Sequence, residues 1–224
     1  MNVQDALAQL GSDPANQARM AAYHKVERPY LGVPNAVIDA AVKDWRAALD
    51  LEARLALASA LWDSNVHEGR IAAAKLLTQA RIRPDDTAAW DLICAWVPDF
   101  DCWTIADQVA IAGQKRLVAD PARVDTLEGW ISSEHMWTRR AAFMMTQPWT
   151  KQNHPKPEEI AVRLRVLDWA AQLISDKDFM IQSAIAAWLR DLSKHDHDLV
   201  AGFIDAYGED MKKFARKEAS RHLG

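Results

Sequence analysis

The 224-residue sequence predicts an all-α protein, a HEAT-like α-solenoid of antiparallel helix pairs. Three observations carry that expectation. Apolar residues recur at three- and four-residue spacing almost from end to end, as in Ala53–Trp62, Ile71–Ala80 and Val162–Leu173, with no alternating strand pattern between them. Pro34, Pro84, Pro121 and Pro157 each precede such a segment, where a ring that fixes φ and removes an N–H does least harm. A degenerate repeat sets small residues after polar turns, in Glu68–Ala74, Trp137–Phe143 and Phe179–Ile185. Anchored on Ala73, Ala110, Ala142 and Ala184, its spacings are 37, 32 and 42 residues. Two helices fit each spacing, which suits a solenoid better than a closed bundle.

About a dozen helices of roughly 10–19 residues account for the chain. They are expected to form one repeat domain over residues 1–224, with 1–19 as an N-terminal helical cap and 20–222 as the repeats. The second helix of each pair would line a concave face, a surface suited to an extended partner; architecture alone does not choose the partner.

Composition narrows the class. Hydrophobic residues make up 50% and charged residues 26%, which supports a packed core and excludes a disordered chain. Ten tryptophans stand against three tyrosines, more indole than a helical core of this size needs. Cys94 and Cys102 form no CxxC pair and the N-terminus has no secretory pattern, so reduced thiols and a cytoplasmic protein are expected. No run reaches the ~18 apolar residues of a membrane span. The formal net charge of −4 disfavours a polyanion partner when taken as a sum. Its distribution differs: Lys212, Lys213, Arg216, Lys217 and Arg221 are opposed only by Glu218, as either a basic contact surface or a solvated last helix.

Two segments offer chemistry. Asp99–Asp107 opens a helix, with Asp101 the expected N-cap and Trp103 and Asp107 one turn apart on a shared face. A carboxylate beside an indole suits a cleft, or a carboxylate ion-paired to a neighbouring arginine. Trp137-Thr138-Arg139-Arg140 puts Trp137 and Arg140 on one face, and paired arginines suit either phosphate contacts or ion pairs between repeats. His195-Asp196-His197-Asp198 reads as a polar helix-start turn, because alternating positions do not converge on a metal, and His67-Glu68 reads as a helix N-terminal turn. No metal or organic cofactor is suggested, and no glycine-rich phosphate loop is present.

Several segments together resemble the DNA alkylation repair (AlkD-like) glycosylases. They are Met20–Tyr23 with Tyr30–Val33, Leu61–Ser64 with His67-Glu68, Asp101–Asp107, Trp137–Ala142, and Asp178–Arg190. Each is unspecific alone; their order and spacing over residues 20–190 are not. The resemblance implies a solenoid gripping duplex DNA with alkylated bases in its concave groove, as a monomer, and excising cationic purines such as 3-methyladenine and 7-methylguanine. It implies Asp107 as the catalytic aspartate, Trp103 as a cleft tryptophan, Arg140 as the phosphate-gripping arginine and Tyr23 as a cleft tyrosine. Arg139, Trp137 and Arg190 join the expected DNA-binding set. The family's second cleft tryptophan falls on Ala187; Trp188 lies one position later, about 100° around a helix.

The chemistry agrees with these residue types. Alkylation makes the purine a cationic leaving group, so breaking its glycosidic bond leaves positive charge on the sugar and a neutral base. An anion, a positioned water and a π-face suffice. At roughly 4 Å and an effective dielectric near 20, a carboxylate stabilises a unit cation by about 4 kcal/mol, or about three powers of ten in rate. That is enough for a base already poised to leave and too little for an unmodified one. Two alternatives stand beside this monofunctional DNA glycosylase: a non-catalytic relative that binds DNA structure, favoured by Ala187, and a scaffold for protein partners, favoured by the net charge.

Overall fold

The computed structural model describes Met1–Gly224 as thirteen α-helices with no strand. The chain forms two compact units, Met1–Ala119 and Asp120–Gly224. The first holds α1 (Val3–Leu10), α2 (Pro14–His24), α3 (Asn35–Ala48), α4 (Leu51–Asp63), α5 (His67–Leu76), α6 (Thr87–Trp96) and α7 (Trp103–Ala119). The second holds α8 (Val124–Glu128), α9 (Met136–Met145), α10 (Pro157–Gln172), α11 (Phe179–Ser193), α12 (His197–Tyr207) and α13 (Lys213–Ala219).

Each unit is organised around one helix. In the first, α5 packs against α3, α4 and α7; in the second, α11 packs against α9, α12, α13 and the 3₁₀ turn Gln147–Lys151. The repeat anchors explain why. Ala73, Ala110, Ala142 and Ala184 fall on α5, α7, α9 and α11, and each is buried to 2% exposure or less. A methyl side chain there lets neighbouring helices pack without displacing either backbone.

A second periodicity is visible only in three dimensions. Side-chain hydrogen bonds and ion pairs recur at sequence separations of 36 or 37, close to one repeat: Trp62 to Asp99, Lys75 to Asp39, Arg139 to Asp176 and Arg165 to Glu128. Buried Arg116 follows the same rule, donating to the Gln79 carbonyl while also pairing with Asp86 at 2.5 Å. Stacked repeats thus share polar ties as well as an apolar seam.

The helix ends have local causes. Asn2, Asp13, Asp50 and Asp178 each accept a backbone N–H of the helix they start. Pro157 occupies the first position of α10, Pro34 precedes α3, Pro121 opens a 3₁₀ turn and Pro84 lies in the loop before α6. The expected segments within 53–62 and 162–173 fall in α4 and α10, but α5 stops at Leu76 rather than continuing to Ala80. There Leu77 N–H and the Thr78 hydroxyl both turn back to the Ala74 carbonyl and tighten the last turn. Three helices are shorter than expected, α1 at 8 residues, α8 at 5 and α13 at 7; the 3₁₀ segment before α8 and the turns around α13 do part of the spanning. The expected cap at Asp101 is a correction. Its carboxylate pairs with Arg28, and α7 begins after Cys102, whose carbonyl takes the first helical N–H from Ala106.

The His195–Asp198 turn does begin a helix, α12 at His197, while Asp196 holds the buried Arg163 guanidinium at 3.2 Å. Seven tryptophans (45, 62, 90, 96, 149, 169 and 188) are buried, which accounts for most of the indole excess. Trp130 and Trp137 are half-buried, and Trp103 alone is exposed.

If the buried alanines set helix separation, Ala73→Leu should destabilise the protein by roughly 1–3 kcal/mol, as overpacked cores do. Ala88→Leu, at an exposed site on α6, should stay within about 0.5 kcal/mol of wild type in the same equilibrium urea unfolding series. Equal midpoints for the two would contradict the packing argument.

Candidate active site

Trp103 is the first residue of α7, and at 40% exposure it is the one exposed indole of the chain. Tyr23, one residue from the end of α2 and 65% exposed, meets it edge to face with ring centroids 6.4 Å apart. Asp107 lies one turn further along α7 and is half-buried, so the carboxylate is partly desolvated without being enclosed in the core. The first unit therefore brings Tyr23 to the end of α7 that carries Trp103 and Asp107, although it lies 80 positions before Trp103 in sequence.

Behind Tyr23 and Trp103 lies a cavity of about 400 Å³ walled by α2, α3, α5 and the start of α7. Two histidines line it, and sequence reasoning had assigned them no chemistry. His67, fully buried at the first position of α5, sits 4.4 Å from the His24 ring and 4.9 Å from Tyr30. Burial, then the His24 and Arg28 charges, lowers its pKa to about 3; burial and Arg28 also lower that of His24, against an opposing pull from Glu68. Both rings are therefore neutral at physiological pH.

Glu68 holds this arrangement together. The fully buried carboxylate accepts the Leu31 N–H at 2.8 Å and the Gly32 N–H at 2.7 Å, so the loop between α2 and α3 is pinned to the start of α5. Gly32 is required there. Its φ is +78°, and a Cβ would stand 2.4 Å from the Asp13 carbonyl and 2.8 Å from the Gln17 nitrogen. The same loop ties down α2, as Asp13 N–H donates to the Leu31 carbonyl at 2.7 Å and the Asn16 amide to the Gly32 carbonyl at 2.5 Å. His67-Glu68 is thus the helix N-terminal turn read from the sequence, and also a clamp. The clue was a buried-type acid beside a histidine; its partners, 36 and 37 residues upstream, are backbone groups that no side-chain pattern announces.

In the second unit, Arg140 is 8% exposed and its guanidinium carbon lies 5.8 Å from the half-buried Trp137 ring. Arg139 is held by Asp176 at 3.1 Å and by the Ser133 and Glu134 carbonyls. Arg190 is held by Glu218 at 2.6 Å and by Asp191. Both carboxylate contacts raise the Arg190 pKa against the opposing effect of burial. Trp188 is 1% exposed in the core, whereas Ala187 lies on the less buried side of α11. The indole one position later is committed to packing and does not replace the aromatic ring that Ala187 lacks. At the C-terminus, Arg216 pairs with Glu209 and Arg221 with Glu218, leaving Lys213 and Lys217 exposed on α13.

Two measurements test the clamp and the histidines. Gly32→Ala should cost about 2–4 kcal/mol in urea unfolding, combining left-handed strain with a backbone clash, whereas Gly11→Ala meets no atom within 4 Å and bears only the φ strain. A smaller loss at Gly32 than at Gly11 would contradict the close approach. For His67 the sign follows from its lowered pKa: the unfolded chain binds a proton below about pH 6.5 that the folded ring refuses until about pH 3. The contribution of the neutral ring is complete above pH 6.5 and is lost on acidification by up to about 1.4 kcal/mol per pH unit. The stability advantage of wild type over His67→Phe should therefore shrink between pH 6 and pH 4; a constant advantage would mean the ring titrates normally.

Comparison with solved structures finds the same fold elsewhere. A predicted DNA alkylation repair enzyme from Enterococcus faecalis superposes with a TM-score of 0.80 at 20% identity, covering 96% of this chain and 97% of that one. AlkD2 from Streptococcus mutans superposes with a TM-score of 0.65 at 20% identity, covering 92% and 96%. The protein smu.31 from Streptococcus mutans UA159 gives 0.65 at 20% identity over 84% and 92%. At this identity the likeness is one of fold, and it agrees with the α-solenoid expected from the periodicity. A search of curated proteins returns no match. The profile of the family described as DNA alkylation repair enzyme matches residues 3–223, and the chain belongs to that family.

Proposed function

We propose that the protein is a monofunctional DNA glycosylase that hydrolyses the N-glycosidic bond of cationic alkylated purines in duplex DNA. The observation that carries this reading is the solitary exposed indole, Trp103, set one turn before a half-buried carboxylate and beside the exposed Tyr23. An exposed tryptophan forfeits burial that seven others obtain, and a site for planar or cationic groups gives it a use.

In the proposed reaction the bond from C1′ to the base nitrogen breaks, and its electron pair discharges the positive base. Positive charge then appears on the sugar, where Asp107 stabilises it and orients a water. The water oxygen attaches to C1′ as its proton passes to the carboxylate. Trp103 and Tyr23 bound the lesion, and Arg140 with Trp137 contacts a phosphate. Arg139 and Arg190 are each engaged by carboxylates, so their part in binding is to hold the second unit in shape, with phosphate contact through whatever donors remain.

A second reading has its own observation. Ala187 removes one aromatic wall and Trp188 is buried, which favours a relative that holds DNA without excising bases.

Methylated duplex DNA incubated with the protein should release 3-methyladenine and 7-methylguanine, and Asp107→Asn should lower single-turnover release by about three powers of ten. Salt-sensitive duplex binding without release would leave the second reading in place. Efficient removal of uracil or hypoxanthine would contradict the electrostatic mechanism, which is too weak for neutral bases.

A further inference from the structure

We infer that Arg28 is a positioning residue for the proposed lesion site. Its ion pair with Asp101 latches the end of α2 to the start of α7 and so sets Tyr23 against Trp103. α2 needs such a tie, because none of its residues is buried and no apolar seam fixes it. Tyr23 meets the Trp103 ring edge to face at 6.4 Å, and His24 meets the same indole at 6.4 Å. Ring contacts of that length hold a helix only loosely. The Glu68 clamp acts at Leu31 and Gly32 and ties them to α5. It does not reach α7, which carries the indole.

Arg28 stands where α2 and α7 meet. It follows the last residue of α2 by four positions, and its guanidinium bonds Asp101, two positions before Trp103. The Arg28 side chain is 1% exposed and that of Asp101 39%, so the cation has left water and the carboxylate has not. A buried guanidinium requires a counter-charge. Glu68 and Asp99 share its surroundings but are engaged elsewhere. Glu68 accepts the Leu31 and Gly32 N–H groups, and Asp99 the Trp62 indole N–H at 3.2 Å. Nε and Nη1 of Arg28 have no partner, so the Asp101 carboxylate is its one hydrogen-bonded anchor.

The hold is carried back to Tyr23 through a short, folded segment. Lys25 turns the chain in the left-handed conformation at the end of α2. The Tyr30 hydroxyl then donates to the Val26 carbonyl at 3.0 Å and closes the loop around Arg28. Tyr30 is itself buried and stacked on His67. With that segment folded, a guanidinium anchored beside α7 determines where the Tyr23 ring falls. The inference rests on the proposed reaction for its kinetic consequence; the geometry it predicts needs no DNA.

Hydrogen exchange and a fluorine label read the latch directly. Asp101→Ala should speed exchange of the α2 amides about tenfold and leave those of α11 unchanged. In protein carrying 5-fluorotryptophan, it should also shift the Trp103 resonance, assigned by its loss in Trp103→Phe. Asp101→Glu, which restores the carboxylate, should reverse both changes. In single-turnover release of 3-methyladenine, Asp101→Ala should lower the rate at saturating protein about tenfold, with half-saturation moved less than about twofold. That loss should vanish in a Tyr23→Ala background, because the pair acts through this ring. If Asp101→Ala fails to fold, Asp101→Asn takes its place with the same expected changes. Unaltered α2 exchange with an unmoved Trp103 resonance, exchange that speeds equally in α11, or a full further loss in the Tyr23→Ala background would each overturn the inference. An α2 freed by Asp101→Ala in a protein that releases no base keeps the latch and sinks the glycosylase reading. Release at one rate by wild type and Asp101→Ala does the reverse.

Discussion

The candidate site depends on one buried carboxylate. Glu68 has no solvent, and an unpaired charge in that position would cost several kcal/mol. Two backbone N–H groups, from Leu31 and Gly32, together with the positive end of α5, make the charge tolerable. Charge-assisted bonds of this kind contribute about 1.5–3 kcal/mol each, and losing the acid would strand two buried donors besides. The geometric consequence matters more than the sum. No residue of α2 is buried, so that helix has little apolar seam of its own and is positioned by the loop Glu68 holds. Tyr23 and His24 face Trp103 and His67 because a peptide segment is pinned several residues after them.

The arginines show how a solenoid divides its cations. Arg116 and Arg163 are fully buried, each bonded to a carboxylate and to backbone carbonyl oxygen, and each has become part of the scaffold. Arg139 and Arg165 tie residues one repeat apart. A guanidinium count read from sequence therefore overstates what is left for a phosphate. The net charge of −4 is unchanged by these pairs, because Asp176, Glu218 and Asp196 are consumed together with Arg139, Arg190 and Arg163.

Much of the fold was legible because it is periodic. Alanines at 73, 110, 142 and 184 marked α5, α7, α9 and α11, and all four are buried where the repeat placed them. Helix ends were less legible where side chains choose between partners: Asp101 had the form of an N-cap but found Arg28 instead. Trp103 and Asp107 shared a face by spacing alone, and Tyr23 entered only through resemblance. The histidine pair could not be read, since His24 and His67 meet across 43 positions of sequence, and nothing local in either predicts a contact made by the loop between them. Spacing reports neighbours on one helix; it is silent about a strap that brings two helices together.

On the proposed reading, the site answers to one positive charge that moves from base to sugar. A half-buried carboxylate and an indole face favour positive charge at the scissile bond, where it develops on the sugar. On α2 and α5, the imidazoles of His24 and His67 are held neutral by burial and by Arg28. The reaction moves positive charge from base to sugar, so the groups that matter are those that meet the charge as it develops, and imidazoles that stay neutral add no charge to oppose it.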